Sequence, residues 1–423
     1  MRSVEEQLAG ITANAVMPDP VRVAISESLG LLCAEEVVAD RQLPGFTQAA
    51  IDGYAVRAVD VNGDAVALAS QLAERPESFA PVTLPVDGEV PAGSRHPLRL
   101  QPQHVVRVHT GAPLPALADA VVPLDWTDRG ARKVTVTRPV RTGDFVRRAG
   151  DDVQPGDVAV SSGSVISPAQ IGLLAAVGRS KVLVHPRPRM AVISIGAELV
   201  DIDREPGLGQ IYDVNSHALA AAGRDAGAEV HRVGIADGEP RRIRDIVEGQ
   251  LLKSELLVIT GAVGGDAGRD VRRVLADMGE LDVTRVAMHP GSVQGFGVLG
   301  DDRVPVFLLP GNPLAALVAF EVMVRPLVRI ALGRRNPRRR VVRARLVAPL
   351  ESIAGRRGYV RGQLMRDRET GGYLVQPLGG ATGAEAHLLA GLAEANCLVV
   401  IPDDVEHLRA GDDVDVLFLS RQA

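Results

Sequence analysis

The chain has 423 residues, of which 46% are hydrophobic and 23% charged, so it can bury a sizeable core and fold as about three domains of roughly 100–200 residues. A net charge of −5 argues against bulk nucleic-acid binding, and only 3% aromatic residues leaves little to stack on bases. Two cysteines, Cys33 and Cys397, lie far apart in apolar runs, so neither a metal nor a disulfide framework is expected and the chain reads as cytoplasmic.

In chain order, Met1-Arg2-Ser3-Val4-Glu5-Glu6 carries no apolar core of signal-peptide length. No run of about 18 apolar residues is free of charges and breakers, so no membrane insertion is expected. Residues 3–14 and 21–32 predict two helices. Ser3 with Glu6 fits a capping box, Val4, Leu8 and Ile11 recur at helical spacing, and Pro18 and Pro20 break the pattern between the two. Pro44-Gly45 and Asp52-Gly53 then mark turns. Asp52 sits at a loop–strand junction, as a turn carboxylate or as a metal or substrate ligand.

Residues 62–140 are rich in Val, Pro and Gly. Strand-like runs at 82–86, 104–109, 120–124 and 133–137 predict a small inserted β domain. Inside it, Thr110-Gly111-Ala112-Pro113 exposes a hydroxyl and backbone N–H groups and is a ligand loop or a hairpin connection. Arg147-Arg148-Ala149-Gly150-Asp151-Asp152 offers paired carboxylates for Mg²⁺, or an acidic turn beside two arginines. Ser167-Pro168 begins a helix to about Val177.

From 187 onward strands alternate with helices. Strands are predicted at 190–195, 229–233, 256–260, 282–288 and 304–309, and helices at 215–225, 240–252, 270–278 and 314–327. Such alternation predicts a mostly parallel sheet covered on both faces, with its ligand site at the carboxyl ends of the strands. The loops at 194–199, 260–268, 289–295 and 310–313 can converge there, the second holding Gly264 and Gly265. Pro310-Gly311-Asn312-Pro313 joins a buried strand to a helix, with Asn312 as N-cap and Pro313 at the first helical position, a setting that favours an anion. Arg334 to Arg340 holds five arginines in seven residues, broken by Asn336-Pro337, and reads as a solvated linker. Residues 341–421 are strand-rich and read as a small β-barrel.

Five ordered motifs carry a family resemblance: Asp52-Gly53-Tyr54-Ala55-Val56, Thr110-Gly111-Ala112-Pro113, Gly209-Gln210-Ile211-Tyr212-Asp213-Val214-Asn215-Ser216, Leu309-Pro310-Gly311-Asn312-Pro313 and Ala393-Glu394-Ala395-Asn396. Together they resemble the molybdopterin molybdenumtransferase family, known as MoeA in bacteria and as the gephyrin E domain in animals, over essentially the whole chain. The resemblance implies an elongated homodimer of α/β-plus-β chains with four subdomains: a discontinuous first (1–42 and 141–186), an inserted β second (43–140), an α/β third (187–333) and a barrel fourth (338–423). It implies insertion of molybdate into adenylated molybdopterin with release of AMP and with Mg²⁺. Glu198 and Asp237 would face the metal and phosphates. Pro310 and Pro313 would shape the substrate turn, and Asp52, Thr110 and Asp152 would come from the other subunit.

Several positions depart from the family pattern. Thr47, Gln48 and Ala49 replace a more polar run, Ala197 replaces a carboxylate before Glu198, and Gly261 to Ala267 replaces a Ser-rich loop. His289 and Ser292 stand where the family usually has lysines, and Arg285 stands for an earlier lysine. Lysine, arginine and neutral histidine are not equivalent toward an anion, so these changes thin the positive charge. They frame the alternative: a dimeric scaffold that keeps the fold and holds a peptide tail, from a membrane or tubulin-like cytoskeletal protein, in the groove between third and fourth subdomains.

Overall fold

A computed structural model describes residues 1–62, 79–96, 98–236, 239–368, 371–379 and 389–419. Asp237 lies outside the described residues. The chain forms two compact units, one of Arg22–Val182 and one of Met1–Val21 with Leu183–Ala423.

In the first unit the Val-rich runs build a five-stranded sheet in the order Ala120–Pro123, Gly53–Val56, Val105–Val108, Val82–Val90, Lys133–Val136. Alternation sorts its side chains: Tyr54, Val56, Val105 and Val122 enter one core cluster, and Ala55, Val106 and Val121 enter another. The helix Pro168–Ala176 starts where the Ser167 side chain and Gln170 form a capping box. The second predicted helix is absent. Residues Val21–Ala24 are a strand, Ile25–Glu27 a short 3₁₀ turn and Leu32–Cys33 a second strand. Val21, Val23 and Ile25 recur at every second position, and Gly30 at φ 77° breaks any helix.

The second unit contains the predicted α/β domain. Its six-stranded sheet runs Glu229–Ala236, Arg189–Ile195, Leu256–Thr260, Val304–Leu309, Val293–Leu299, Gly279–Arg285. The first four strands are parallel, and Val293–Leu299 pairs antiparallel with both Val304–Leu309 and Gly279–Arg285. Met190, Val192, Val258 and Phe307 face a core with the helices Val214–Ala226 and Pro313–Ala319. Ala191, Ile193, Leu257 and Leu308 face the other, with Pro240–Leu251 and Gly265–Ala276. The chain lays down Arg189–Ile195, steps to one side and then to the other. The topological switch therefore falls between Arg189–Ile195 and Leu256–Thr260, where open sheets form a crevice.

Three expectations need correction here. The helix predicted from Asp270 begins at Gly265, because Val271, Val274 and Leu275 bury together and carry the helical register upstream. The strand predicted at 282–288 is Gly279–Arg285, and its antiparallel neighbour is Val293–Leu299, which begins inside the predicted 289–295 loop. Gly295 and Gly297 remove two side chains from that strand and hide its alternation. The helix predicted over 314–327 is interrupted by a π-helical turn, Phe320–Val324, before Arg325–Ala331. Pro326 explains the break, since its ring cannot follow an α-helical turn whose N–H it lacks.

The predicted barrel is present. Arg357–Arg366 pairs with both Tyr373–Pro377 and Cys397–Ile401, and Val341–Leu346 and Asp413–Phe418 close the circle. Val360, Val375, Cys397, Val399 and Val416 fill it. The arginine run is not wholly solvated. The Arg339 side chain is 12% exposed and pairs with Glu321 at 2.8 Å and Asp225 at 2.6 Å.

Candidate active site

The crevice at the switch point holds a cleft of about 290 Å³. Ile195 and Gly196 end one central strand, Thr260 and Gly261 end the next, and Glu198, Asn215, Gly264 and Gly311 complete its polar and backbone walls. Three of the four loops expected to converge do so here. Gly261 has φ +85°, and a Cβ there would stand 2.1 Å from the Ile195 carbonyl oxygen, so only glycine lets these two strand ends meet. Arg272, from the helix after the loop, donates to the carbonyls of Ala262 at 3.3 Å and Val263 at 3.1 Å and holds the loop's curve. Gly265 is the first residue of that helix, with Gly264 as its N-cap.

A hydrogen-bond chain ties the walls together. Asn215 Nδ2 donates to Thr260 Oγ1 at 2.9 Å and to the Gly311 carbonyl at 2.7 Å. The Thr260 hydroxyl donates to the Pro310 carbonyl at 2.9 Å. Asp213 N-caps the helix that carries Asn215, its Oδ1 accepting from the Ser216 N–H at 3.0 Å and from the Ser194 hydroxyl at 2.8 Å. Asn312 Oδ1 accepts from the Ala315 N–H at 3.0 Å and Pro313 opens the helix, as the sequence predicts. That cap engages the Ala315 N–H, and Pro313 has none to offer. The Glu198 carboxyl folds over Gly196, where an added Cβ would lie 2.7 Å from Oε2.

Arg285 and His289 do not line this cleft. Arg285 ends the sheet's edge strand with an exposed side chain. His289 belongs to a short strand, Met288–His289, that pairs with Arg357–Gly358 of the barrel. The Ser292 hydroxyl is turned onto the Val286 carbonyl at 2.9 Å.

The remaining predicted residues lie in the other unit. Asp52 Oδ1 accepts from both the backbone N–H and the hydroxyl of Thr110, each at 2.8 Å. The Thr110 backbone N–H, then its hydroxyl, hold the Asp52 carboxyl below the usual carboxylate range, helped by His109 and Arg107. Asp152 pairs with Arg147. The 43–50 segment links the two places: the Pro44 carbonyl accepts from Gly150 N–H at 3.0 Å, and the Ala49 carbonyl from Gly111 N–H at 2.9 Å.

Among the described residues no group of three His, Cys, Asp or Glu is arranged to hold a metal. Glu198 is the one carboxylate among the residues lining the cleft. A single carboxylate suits Mg²⁺ that keeps its waters and arrives on substrate phosphates, not an ion caged by protein. Sequence reasoning did not single out Asn215 or Thr260 as site residues. Asn215 belongs to the Gly209–Ser216 motif, but its partner Gly311 is 96 positions away.

Family models for the MoeA N-terminal region (domain I and II), the probable molybdopterin binding domain and the MoeA C-terminal region (domain IV) match residues 2–178, 191–330 and 343–419. "Molybdopterin molybdenumtransferase 1" of Mycobacterium tuberculosis (strain CDC 1551 / Oshkosh) is 62% identical, covering 100% of both chains. The chain belongs to the molybdopterin molybdenumtransferase family. Within that family, "Molybdopterin molybdenumtransferase 2" of the same strain is 37% identical over 98% of this chain and 99% of its own. The crystal structure of a molybdopterin biosynthesis moea protein from Pyrococcus horikosii superimposes with a TM-score of 0.78 at 31% identity, covering 99% of each chain. Relatives this close carry transferase names, so the scaffold alternative drawn from the altered loops has no support. No helix among the described residues is long and apolar enough to cross a membrane.

Proposed function

We propose that this molybdenumtransferase-family protein inserts molybdate into adenylated molybdopterin and releases AMP, acting in the cytoplasm as a homodimer of four-subdomain chains. The observation that carries the reading is the cleft at the sheet's switch point, built by Gly261, Thr260 and the Pro310–Pro313 turn inside the part matched as a probable molybdopterin binding domain. Mg²⁺ would offset the charge of the substrate's phosphates, and Glu198, with Asp237, would hold it. Glu198 places its charge at the cleft's mouth, the glycine-lined walls admit a flat ligand edge, and the tied Pro310–Asn312 turn keeps the reacting groups registered. Asp52, Thr110 and Asp152 would be contributed by the second copy.

The test is release of AMP from adenylated molybdopterin with Mg²⁺ and molybdate. The wild-type protein should release AMP, and Glu198→Gln should slow it by about 10²-fold or more through loss of the charge. A folded wild-type protein that binds the substrate and releases none would overturn the reading.

A further inference from the structure

A second cavity, of about 320 Å³, lies between the helix Val4–Thr12 and the edge strands Gly279–Arg285 and Val293–Leu299, and it shares no lining residue with the cleft. Gln7 lines it and is only 3% exposed. Its Oε1 accepts from Arg2 at 2.7 Å, and a guanidinium can only donate, so the amide is fixed with Nε2 as its free end. Nε2 meets no acceptor among the described residues, and it is not one of the partnerless atoms sealed from solvent. The small surface left to Gln7 therefore includes an unused donor at the cavity wall. The same Arg2 nitrogen meets Asp282 Oδ2 at 2.7 Å, which sets the Asp282 carboxyl beside the Gln7 amide. Donor and acceptor thus stand next to each other. Glu280 adds a second carboxylate and Arg2 is already paired, so the lining disfavours a phosphate. Ile11, Phe296 and Val298 supply apolar surface, and the volume suits one planar ring system.

We propose that this cavity is a second small-molecule site, for an uncharged nucleobase whose edge carries a ring acceptor beside an exocyclic amine, as in cytosine. Gln7 Nε2 donates to the ring nitrogen, and the Asp282 carboxyl accepts from the amine. Uracil has the same ring shape with donor and acceptor exchanged, so it sets donor against donor and acceptor against acceptor. The site stands independently of the activity assigned to the cleft.

The experiment is calorimetric titration of the full chain with cytidine and with uridine. Wild type should prefer cytidine by at least about tenfold. Gln7→Glu keeps an oxygen for Arg2 but puts an acceptor where the donor was, and should lose that preference. Gly10 also lines the cavity, and a Cβ on it would meet nothing within 4 Å. Gly10→Leu should therefore fill the space and abolish binding, while leucine, the better helix former, keeps the helix intact. Equal affinity of wild type for the two nucleosides, or binding of neither, overturns the proposal. So does cytidine binding that is unchanged in Gly10→Leu, which would place the nucleoside elsewhere, or a preference that survives in folded Gln7→Glu. If Gln7→Glu does not fold, the wild-type ratio and Gly10→Leu decide.

Discussion

Asp52 illustrates how a surface carboxylate is prepared without burial. Thr110 gives it two donors on one oxygen, Oδ1. These two donors favour the charged form of the carboxyl and so lower its pKa. The sign follows from linkage. A carboxyl more acidic in the folded than in the unfolded chain adds stability above its ordinary pKa, and that stability is lost as pH falls through the folded value. Thr110→Val removes the hydroxyl but leaves the backbone N–H. The Asp52 pKa should therefore rise part of the way toward its ordinary 3.8. Carboxyl NMR titration of the two proteins measures this, and identical titration curves would mean the hydroxyl contributes nothing.

At the scale of elements, the π turn at Phe320–Val324 sets Glu321 among charges. Glu321 is 9% exposed and meets Arg325 at 3.7 Å and Arg339 at 2.8 Å, while Asp225 takes both arginines at 2.8 and 2.6 Å. Arg339 thereby fastens the segment leading into the barrel to the α/β domain. Glu321→Leu leaves two largely buried guanidiniums with one half-exposed carboxylate, and should cost about 3 kcal/mol in urea denaturation. The double variant Glu321→Leu/Arg325→Met removes the stranded charge as well and should cost less than the sum of the two singles. Additive losses would mean that the four groups do not act as a network. Elements differed in how openly the sequence announced them. Leu256–Thr260 and Val304–Leu309 are unbroken apolar runs, and buried parallel strands have that signature. Val293–Leu299 is concealed by Gly295 and Gly297, and the π turn is concealed because Phe320 to Val324 has ordinary helical composition. In the cleft, the Pro310–Pro313 turn and Glu198 are legible as local motifs. The role of Asn215 is not, since it is defined by carbonyls that only the folded chain brings to it.

For the whole molecule, the proposed active site draws on two sets of residues that the fold keeps in separate compact units. Glu198, Asn215 and Thr260 belong to one, and Asp52, Thr110 and Asp152 to the other. If the second set is supplied by a second copy, then each of two sites in a dimer needs both chains. That makes a counting prediction. Asp52→Asn and Glu198→Gln homodimers should each be nearly inactive in AMP release. When the two chains are co-expressed, about half of the dimers are mixed, and one of the two sites in each mixed dimer escapes both substitutions, so activity should return to roughly a quarter of wild type. A symmetric interface forces this outcome, because the two defects in a mixed dimer fall on the same site and leave the other whole. If each chain instead built its own site from both of its units, every site in a mixed dimer would carry one defect, and activity would stay at the level of the single variants. Mass measurement of the co-expressed sample separates that result from a failure to mix, and a protein found only as a monomer would dispose of the shared site altogether.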